Sequence, residues 1–552
     1  MNVASNDEGW RTLVDRYWDQ VLELEPLMAT QVGDERFDDR LPDPTEGGIA
    51  RRETVHRDML AAIQSLDRSG IDMVGRTTLD VADAIARRDL DDVAFRMDRL
   101  RAVSHLEGPG SLLGVIASLQ RADTPERVDR YVGRLSALPG YVAAMGAVAE
   151  EGAAAGVVMP LVVVDRTVAQ VERLLALDPA DSPGMAPAAG ASDQERERVR
   201  TILADEVWPA FQGFLEVLRR YRNRAAATIG LSRLPLGDEM YAAAIRGWTS
   251  LDLDPQVVHD IGANELARIR EEEQAIARSL GAKDARQAVA DLTAKGGNAA
   301  TSREALVASA EEQVRRGWEA APRFFGRLPK SNCEVRPVEA YREKDMPFAY
   351  YYPPSQDGSR AGVYWVNASD LDQRLLHRLA SVTYHEANPG HHFQTSLEQE
   401  MQDRPALRKF GGILAGSAFI EGWGLYSERL ADEMGLYQDQ YERIGMLEAQ
   451  AFRAARLVVD TGIHALGWDR DQVIATLQEI GTPRVDAEIE TDRYIATPGQ
   501  ALAYKLGQIE IERWRAEAAE REGASFSLPA FHDRLLELGS LPLRALEREI
   551  QN

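Results

Sequence analysis

Apolar residues recur at spacings of three and four along most of this 552-residue chain. Such spacing places them on one face of an α-helix, and the positions between them are filled mostly by alanine, leucine, glutamate and arginine, which favour helix. The clearest helical segments are residues 10–29, 126–154, 195–228 and 370–384. The sequence therefore predicts a mainly α fold.

Only a few segments have the composition of a β-strand. The best is 361–367, Ala-Gly-Val-Tyr-Trp-Val-Asn, where β-branched and aromatic residues lie between two turn-like segments. We divide the chain near residue 235 into an N-terminal helical lobe, 1–235, and a C-terminal lobe, 236–552, which carries a small β-sheet.

Charge and cysteine content restrict the partners of the chain. Its formal net charge of -24 argues against nucleic acid and against an anionic membrane surface, because both would be repelled. We find no run of the roughly 20 apolar residues that a membrane helix needs, and no apolar N-terminal signal. One cysteine, Cys333, allows no intrachain disulfide. We expect a cytoplasmic location, and a homodimer is compatible with the sequence.

Three of the nine histidines fall within eight residues, in the segment Tyr-His-Glu-Ala-Asn-Pro-Gly-His-His that spans 384–392. A His-Glu pair at the end of a core helix is typical of the zinc helix of metallopeptidases. There, histidines at positions i and i+4 bind the metal and the glutamate activates water. This pattern predicts His385 as a metal ligand and Glu386 as the general base.

The second ligand cannot lie at the usual position, since position i+4 is Pro389. The next histidines are His391 and His392, and neither reaches the metal on a regular helix. A π-bulge at Pro389-Gly390 would bring His391 into place, so we favour His391, with His392 as the alternative ligand. In the non-functional interpretation, His385 packs in the core and Pro389-Gly390 ends the helix.

Glu421 is the candidate for the third ligand. It lies in an otherwise apolar helical stretch, where a carboxylate is normally paired or bound to metal. A salt bridge to an arginine is the alternative. Glu428, two helical turns further on, could support a histidine ligand from behind.

Two later segments carry polar residues in an apolar setting. Arg456, Asp460 and His464 form one stripe along a helix, with Asp460 expected to orient His464, although a solvated face gives the same pattern. A further helix beginning near Pro498 places Gln500 and Tyr504 on one face. The candidates for stabilising an oxyanion are His464, Tyr494 and Tyr504.

Four motifs together resemble the bacterial family catalogued as domain of unknown function 885. They are His-Glu-x-x-Pro-Gly-His at 385–391, Glu-Gly-Trp-x-x-Tyr-x-Glu at 421–428, Val-Asp-Thr-Gly-x-His at 459–464 and Pro-Gly-Gln-Ala-x-x-Tyr-Lys at 498–505. That family is similar to helical gluzincins such as thimet oligopeptidase and carboxypeptidase Taq, which implies a two-lobed helical body with a deep central cleft. The residues expected around the substrate or behind the ligands are Arg360, Tyr364, Glu428, Arg456, Asp460, Tyr494, Gln500 and Lys505.

These expectations combine into a zinc-dependent hydrolase, a metallopeptidase that cleaves a peptide or a small peptide-like amide with one zinc ion per chain. The strand 361–367 would line the cleft and pair with an extended substrate. Two alternatives remain open. One is a metal-dependent hydrolase or lyase acting on a small metabolite, and the other is a non-catalytic helical protein with a structural metal.

Overall fold

A computed structural model describes residues 3–338, 343, 346–354 and 361–551, with only the backbone for residues 3–8. Helices make up 71% of the protein and the sheet found among the described residues has three strands, which confirms the mainly α prediction. Two compact units are present. The first comprises Met1–Ala243, Ile463–Arg470 and Glu488–Pro498, and the second comprises Ala244–Gly462, Asp471–Ala487 and Gly499–Asn552. The predicted division into two contiguous lobes therefore misses the two later segments that return to the first unit.

The first unit is built from helices that lie early in the chain. They are α1 (Val3–Leu24), α2 (Pro26–Gln31), α3 (Glu46–Ser65), α4 (Met73–Ala94), α5 (Asp98–Arg101), α6 (Pro109–Leu119), α7 (Pro125–Ala154), α8 (Leu161–Leu175), α9 (Asp193–Ile202) and α10 (Trp208–Arg222). The helix predicted over 10–29 is divided, because Pro26 lacks an amide hydrogen and begins a new helix instead of continuing α1.

Helix α7 is the one described helix that is long and apolar enough to cross a membrane by length and composition alone. This differs from the expectation that no segment approaches that length. In the protein, 44% of the apolar window is buried. One face of α7 is fully buried and consists of Val128, Tyr131, Leu135 and Leu138. A core helix of a globular protein can have the same length and apolar composition as a membrane helix.

Most of the remaining helices belong to the second unit, and four of them, α11, α19, α20 and α21, contribute residues to both. They are α11 (Gly237–Thr249), α12 (Pro255–Ser279), α13 (Ala285–Ala294), α14 (Arg303–Ala320), α15 (Leu376–Glu386), α16 (His391–Gln399), α17 (Ala406–Phe410), α18 (Ala418–Glu433), α19 (Gln440–His464), α20 (Arg470–Glu479), α21 (Arg484–Ala496), α22 (Ala503–Glu522), α23 (Leu528–Leu538) and α24 (Leu543–Gln551).

The sheet of the second unit consists of β1 (Cys333–Pro337), β2 (Ala349–Tyr352) and β3 (Gly362–Val366) in the order β1-β3-β2. Strand β3 pairs parallel with β1 and antiparallel with β2. Both of its edges are therefore occupied, and the prediction that this strand pairs with an extended substrate is wrong. Among the described strands, the free edges belong to β1 and β2.

A hydrophobic core joins the sheet to α15. Tyr364 and Val366 of β3 are buried together with Leu306 of α14 and Leu379 of α15. The hydroxyl groups of Tyr364 and Thr383 are 3.1 Å apart, which connects β3 to the same side of α15. The end of α15 that carries His385 is thus held against the sheet.

Candidate metal centre

The segment between His385 and His391 is a complete break between two helices. Helix α15 ends at Glu386 and α16 begins at His391, with a cis peptide bond between Asn388 and Pro389. The prediction of a π-bulge inside one helix is therefore wrong. A Cβ atom at Gly390 would lie 1.9 Å from the carbonyl oxygen of His385, so only glycine allows the chain to turn back this closely.

Helix α18 holds this loop from the other side. The indole Nε1 of Trp423 donates to the carbonyl oxygen of Pro389 at 2.9 Å, and the hydroxyl of Ser427 donates to the same oxygen at 3.2 Å. All three groups are buried, where an unpaired carbonyl would be costly. These bonds fix the position of α16 relative to α18.

His385, His391 and Glu421 come together as one group of potential metal ligands. Their donor atoms all lie within 4.8 Å of one another. Oε2 of Glu421 lies 3.5 Å from Nε2 of His391 and 3.8 Å from Nε2 of His385, and the two imidazole rings are nearly perpendicular. Two imidazole nitrogens and one carboxylate oxygen in this arrangement suit zinc.

Gly424 of α18 makes room for the two imidazoles. A Cβ atom at this position would lie 2.8 Å from Nε2 of His385 and 2.9 Å from Cε1 of His391. Any side chain here would therefore collide with the donor group. Nδ1 of His391, the ring nitrogen opposite the one that faces Glu421, is buried without a hydrogen-bond partner among the described residues.

The charges around His385 favour a cation. Burial lowers the pKa of His385, but Glu421 and Glu428 outweigh that effect and raise it to about 9. Burial raises the pKa of Glu421, yet its interactions with His385 and His391 hold it well below its usual range. Both shifts have the same origin, since two carboxylates flank one imidazole and lower the energy of positive charge there.

Glu428 lies behind His385, as predicted for a supporting residue. Its Oε1 accepts a hydrogen bond from Nδ1 of His385 at 2.9 Å, and its Oε2 accepts from Nε2 of Gln450 at 3.3 Å. A carboxylate can only accept, so Nδ1 of His385 carries a hydrogen, and in the neutral ring the lone pair that a metal would bind is on Nε2.

Glu386 is the last residue of α15 and directly follows the ligand candidate His385. Burial raises its pKa, while the imidazoles of His391 and His385 act to lower it and Glu421 acts to raise it. Glu386 therefore experiences the charges of all three ligand candidates, although it is outside the donor group itself.

His392, the alternative ligand, has both ring nitrogens engaged elsewhere. Nε2 bonds to the carbonyl oxygen of Ser331 at 3.0 Å, and Nδ1 bonds to the hydroxyl of Tyr351 at 2.9 Å. Burial lowers its pKa to about 4. The arrangement connects β2 and the loop before β1 to α16, which is a structural role.

The three residues of the polar stripe on α19, Arg456, Asp460 and His464, lie in different environments. The guanidinium carbon of Arg456 lies 4.5 Å from the ring centre of Tyr504. Asp460 Oδ1 accepts from the amide of Gly499 at 3.0 Å, at the turn before Gln500. Asp460 thus holds this turn, and the expectation that it orients His464 is wrong.

His464 and Tyr494 belong to the first unit. Nε2 of His464 bonds to the carbonyl oxygen of Tyr494 at 2.9 Å, and Nδ1 accepts from the amide of Leu231 at 3.2 Å. Burial lowers the pKa of His464 to about 4. Because both nitrogens are used by backbone groups, neither is available to bind an oxyanion.

Three further residues were predicted to lie around the substrate or behind the ligands: Tyr364, Lys505 and Arg360. Tyr364 is fully buried beneath α15, so it supports the helix and does not line an open surface. Lys505 is fully buried on α22, and burial lowers its pKa to about 8. Arg360 lies outside the described residues.

Two residues near the ligand candidates, Gly424 and Gln450, were not predicted from the sequence. Gly424 had a usable signal, because Glu-Gly-Trp-Gly places two glycines within one helical turn, which is unfavourable unless another group approaches closely. Gln450 had none, since a single glutamine on an amphipathic helix is ordinary.

Residues 26–550 match a family described as a bacterial protein of unknown function, DUF885. The chain belongs to the DUF885 family. This DUF885 protein is also similar to a solved structure described as that of a putative lipoprotein from Colwellia psychrerythraea. The identity is 25%, the TM-score is 0.90, and the match covers 99% of this chain and 98% of that one.

A second solved structure is described as that of a putative lipoprotein of unknown function from Shewanella oneidensis. It is 19% identical with a TM-score of 0.79, and the match covers 98% of this chain and 100% of that one. At this identity the likeness shows the fold alone. A search of curated proteins found no match.

Proposed function

We propose that this DUF885 protein is a zinc-dependent hydrolase of gluzincin type that cleaves a peptide or a small peptide-like amide. The observation that carries the proposal is the group of His385, His391 and Glu421, with Glu386 directly after the first ligand. When bound there, zinc would supply a Lewis acid and lower the pKa of water toward about 7.

The number of donors favours catalysis over a structural metal. A structural zinc site normally has four protein ligands, whereas catalytic sites have three and leave one position for water or substrate. The group found among the described residues has three. The side chains of His391 and Glu421 are 13% and 20% exposed, so the centre is accessible from one side.

The residues of the chain have separate tasks in this mechanism. Glu386 accepts a proton from water and passes it to the leaving amine, while Glu428 keeps the ring of His385 oriented. The substrate would lie along the free edge of β2, because both edges of β3 are paired. Tyr351 of β2 hydrogen bonds to His392, the residue after the ligand candidate His391.

Tyr504 remains the candidate for stabilising an oxyanion, since it lies in the same unit as the three ligand candidates. The guanidinium of Arg456 lies 4.5 Å from its ring centre and holds the side chain in place. We assign His464 and Tyr494 structural roles in the first unit instead.

Replacing Glu386 by glutamine tests this function. The variant keeps the volume of the side chain and removes the base, and general-base catalysis contributes about 10²–10⁴-fold. Glu386→Gln should therefore retain one zinc per chain by metal analysis and lose most hydrolysis of a substrate found by screening peptides and small amides. Tyr504→Phe should lose less, and Tyr494→Phe should keep wild-type turnover.

Equal turnover by Glu386→Gln and the wild type would exclude the mechanism, even with zinc bound. Loss of zinc from Glu386→Gln would reassign Glu386 as a ligand or its support. A wild-type protein that holds no zinc after expression in zinc-supplemented medium would exclude the metal centre itself.

The cytoplasmic location stays a prediction from the sequence. The two solved structures above are described as putative lipoproteins, and a lipoprotein would be held at a membrane. Fractionation of host cells with an antibody against the native protein distinguishes the two locations. Recovery in the soluble cytoplasmic fraction supports the sequence prediction, and recovery with membranes contradicts it.

A further inference from the structure

Lys505 of α22 is a fully buried lysine in the same unit as the metal centre. Its Nζ donates to Oε1 of Gln450 at 2.9 Å and to Oε1 of Gln508 at 2.8 Å, and lies 3.6 Å from Glu265. Burying an ammonium group is costly even when it is paired. Such a residue is therefore expected to have a role other than stability.

The bond to Gln450 connects Lys505 to the metal centre through three buried hydrogen bonds. Gln450 donates from Nε2 to Oε2 of Glu428 at 3.3 Å, and Glu428 accepts from Nδ1 of His385 at 2.9 Å. Gln450 also donates to the carbonyl oxygen of Leu425 at 3.1 Å. All of these side chains are buried.

The direction of the hydrogen bonds between Lys505, Gln450 and Glu428 follows from which groups can donate and which can accept. An ammonium group has three donors and no acceptor, so only the oxygen of the Gln450 amide can face Lys505. The amide nitrogen must then face Glu428 and donate to it. The carbonyl oxygen of Leu425 accepts from the same amide nitrogen and favours the same orientation. Lys505 holds the amide oxygen of Gln450 and reinforces the orientation in which Glu428 receives a hydrogen bond.

We propose that Lys505 is a positioning residue for the metal centre, which acts through Gln450 and Glu428 to hold His385 with its Nε2 directed at the other two ligands. This inference rests on the proposed zinc centre. Gln450 supplies a donor to Oε2 of Glu428, the oxygen that His385 does not use. Networks of this kind are stronger than their separate bonds because each bond orients the next.

The chain offers a matched control for a simple packing role. Lys505 makes one hydrogen bond toward the centre, to Gln450, and one away from it, to Gln508. Both glutamines are fully buried. Gln508 lies on α22 itself, so a lysine that only stabilised the packing around its own ammonium group would be affected equally by the loss of either bond. A positioning lysine depends on Gln450 alone.

The experiment compares Lys505→Met, Gln450→Leu and Gln508→Leu by zinc dissociation constants, measured in competition with a chelator. Lys505→Met and Gln450→Leu should weaken zinc binding about 10–100-fold, the range found for residues that support a ligand. Gln508→Leu should keep the wild-type value. If Lys505→Met does not fold, Gln450→Leu carries the test, since it breaks the chain and leaves Lys505 in place.

Cobalt(II) provides a spectroscopic readout, because its visible absorption bands report on ligand geometry. The bands should shift in Lys505→Met and Gln450→Leu and stay unchanged in Gln508→Leu. In a Glu428→Gln background, Lys505→Met should have no further effect on zinc binding, because the connection is already broken.

Unchanged zinc affinity and cobalt spectra in both Lys505→Met and Gln450→Leu overturn the inference while the wild type still binds zinc. Equal losses in all three single variants also overturn it, since they indicate packing. Failure of the wild type to bind zinc instead removes the proposed centre, and the inference with it. Hydrolytic activity enters none of these measurements, so an inactive protein that binds zinc still decides the role of Lys505.

Discussion

The two ends of α15 carry buried histidines in similar settings that differ in one respect. At the start of the helix, Nδ1 of His377 bonds to Asn298 at 3.0 Å and Nε2 bonds to Glu448 at 3.1 Å. At its end, Nδ1 of His385 bonds to Glu428 at 2.9 Å, while Nε2 is 3.8 Å from Glu421. The second distance exceeds a hydrogen bond. A buried histidine with a carboxylate partner is therefore not sufficient to indicate a metal ligand. Whether the second ring nitrogen makes a hydrogen bond must also be known.

Each end of α15 is also approached by a glycine from a neighbouring helix. A Cβ atom at Gly445 of α19 would lie 1.9 Å from the carbonyl oxygen of His377, so this glycine allows backbone to touch backbone. A Cβ atom at Gly424 of α18 would instead meet the rings of His385 and His391. One close approach packs a helix pair, and the other preserves space beside two ligand candidates.

The largest expected difference between the two ends of α15, in zinc affinity, comes from replacing each histidine by alanine. His385→Ala removes a proposed ligand, so zinc affinity should fall more than the roughly 100-fold expected for a supporting residue. His377→Ala should keep zinc but reduce the free energy of unfolding by about 1–3 kcal/mol, because Glu448 loses a partner. Metal analysis and urea unfolding give the two readouts, and loss of zinc from both variants would contradict the distinction.

Alanine at the two glycines sharpens the same comparison. Gly424→Ala should weaken zinc binding about 10–100-fold, since the added methyl group displaces the ring of His385. Gly445→Ala should retain zinc and lose about 1–3 kcal/mol of stability from overpacking. Gly213→Ala of α10, where a Cβ atom meets nothing within 4 Å, controls for the substitution itself. Wild-type zinc affinity in Gly424→Ala would show that the rings adjust freely.

Acid should destabilise the His377 end through Glu448. Burial raises the pKa of this carboxyl, but His377 and Arg378 outweigh the effect and lower it to about 2. A carboxyl with a depressed folded-state pKa stabilises the protein above its unfolded value of about 4.3, and this contribution is lost as the pH falls toward 2. It amounts to about 2 kcal/mol after discounting for the partly exposed side chain.

Unfolding by urea between pH 7 and pH 3 measures this effect, with Glu448→Gln as the control. The wild type should lose more stability than Glu448→Gln over that range, because the variant has no carboxyl to protonate. Parallel curves for the two proteins would show that Glu448 has the same pKa in the folded and unfolded states.

The smallest effect is expected for Arg378, whose side chain is 35% exposed and lies 2.6 Å from Glu448. Solvent screens such a pair, so Arg378→Met should cost less than about 1 kcal/mol of unfolding free energy and leave zinc content unchanged. A larger loss in urea unfolding would mean that Arg378, more than His377, stabilises Glu448.

Sequence reasoning was strongest where one local pattern determined the outcome. The helical period gave the mainly α fold, and the composition of 361–367 located β3 as Gly362–Val366. The grouping of His385, His391 and Glu421 followed from residue types that bind zinc and from a buried carboxylate. Their roles as ligands stay predictions.

It failed where a contact from a distant segment decides the result. Pro389-Gly390 indicates a disturbed helix, but the donors that hold the loop come from Trp423 and Ser427 on α18. The stripe on α19 suggested that Asp460 orients His464, yet Leu231 and Tyr494 supply the partners of His464. Spacing within one helix contains no information about either contact.

The break between α15 and α16 changes how the geometry of a chelate is determined. In an unbroken zinc helix, the bite between the two imidazoles is a fixed property of the helical repeat. Here α18 sets it, because one helix provides Glu421, leaves space at Gly424 and anchors the intervening loop through Trp423 and Ser427. The positions of all three ligand candidates thus depend on one helix, and a designer who wished to transplant the proposed centre would begin with α18.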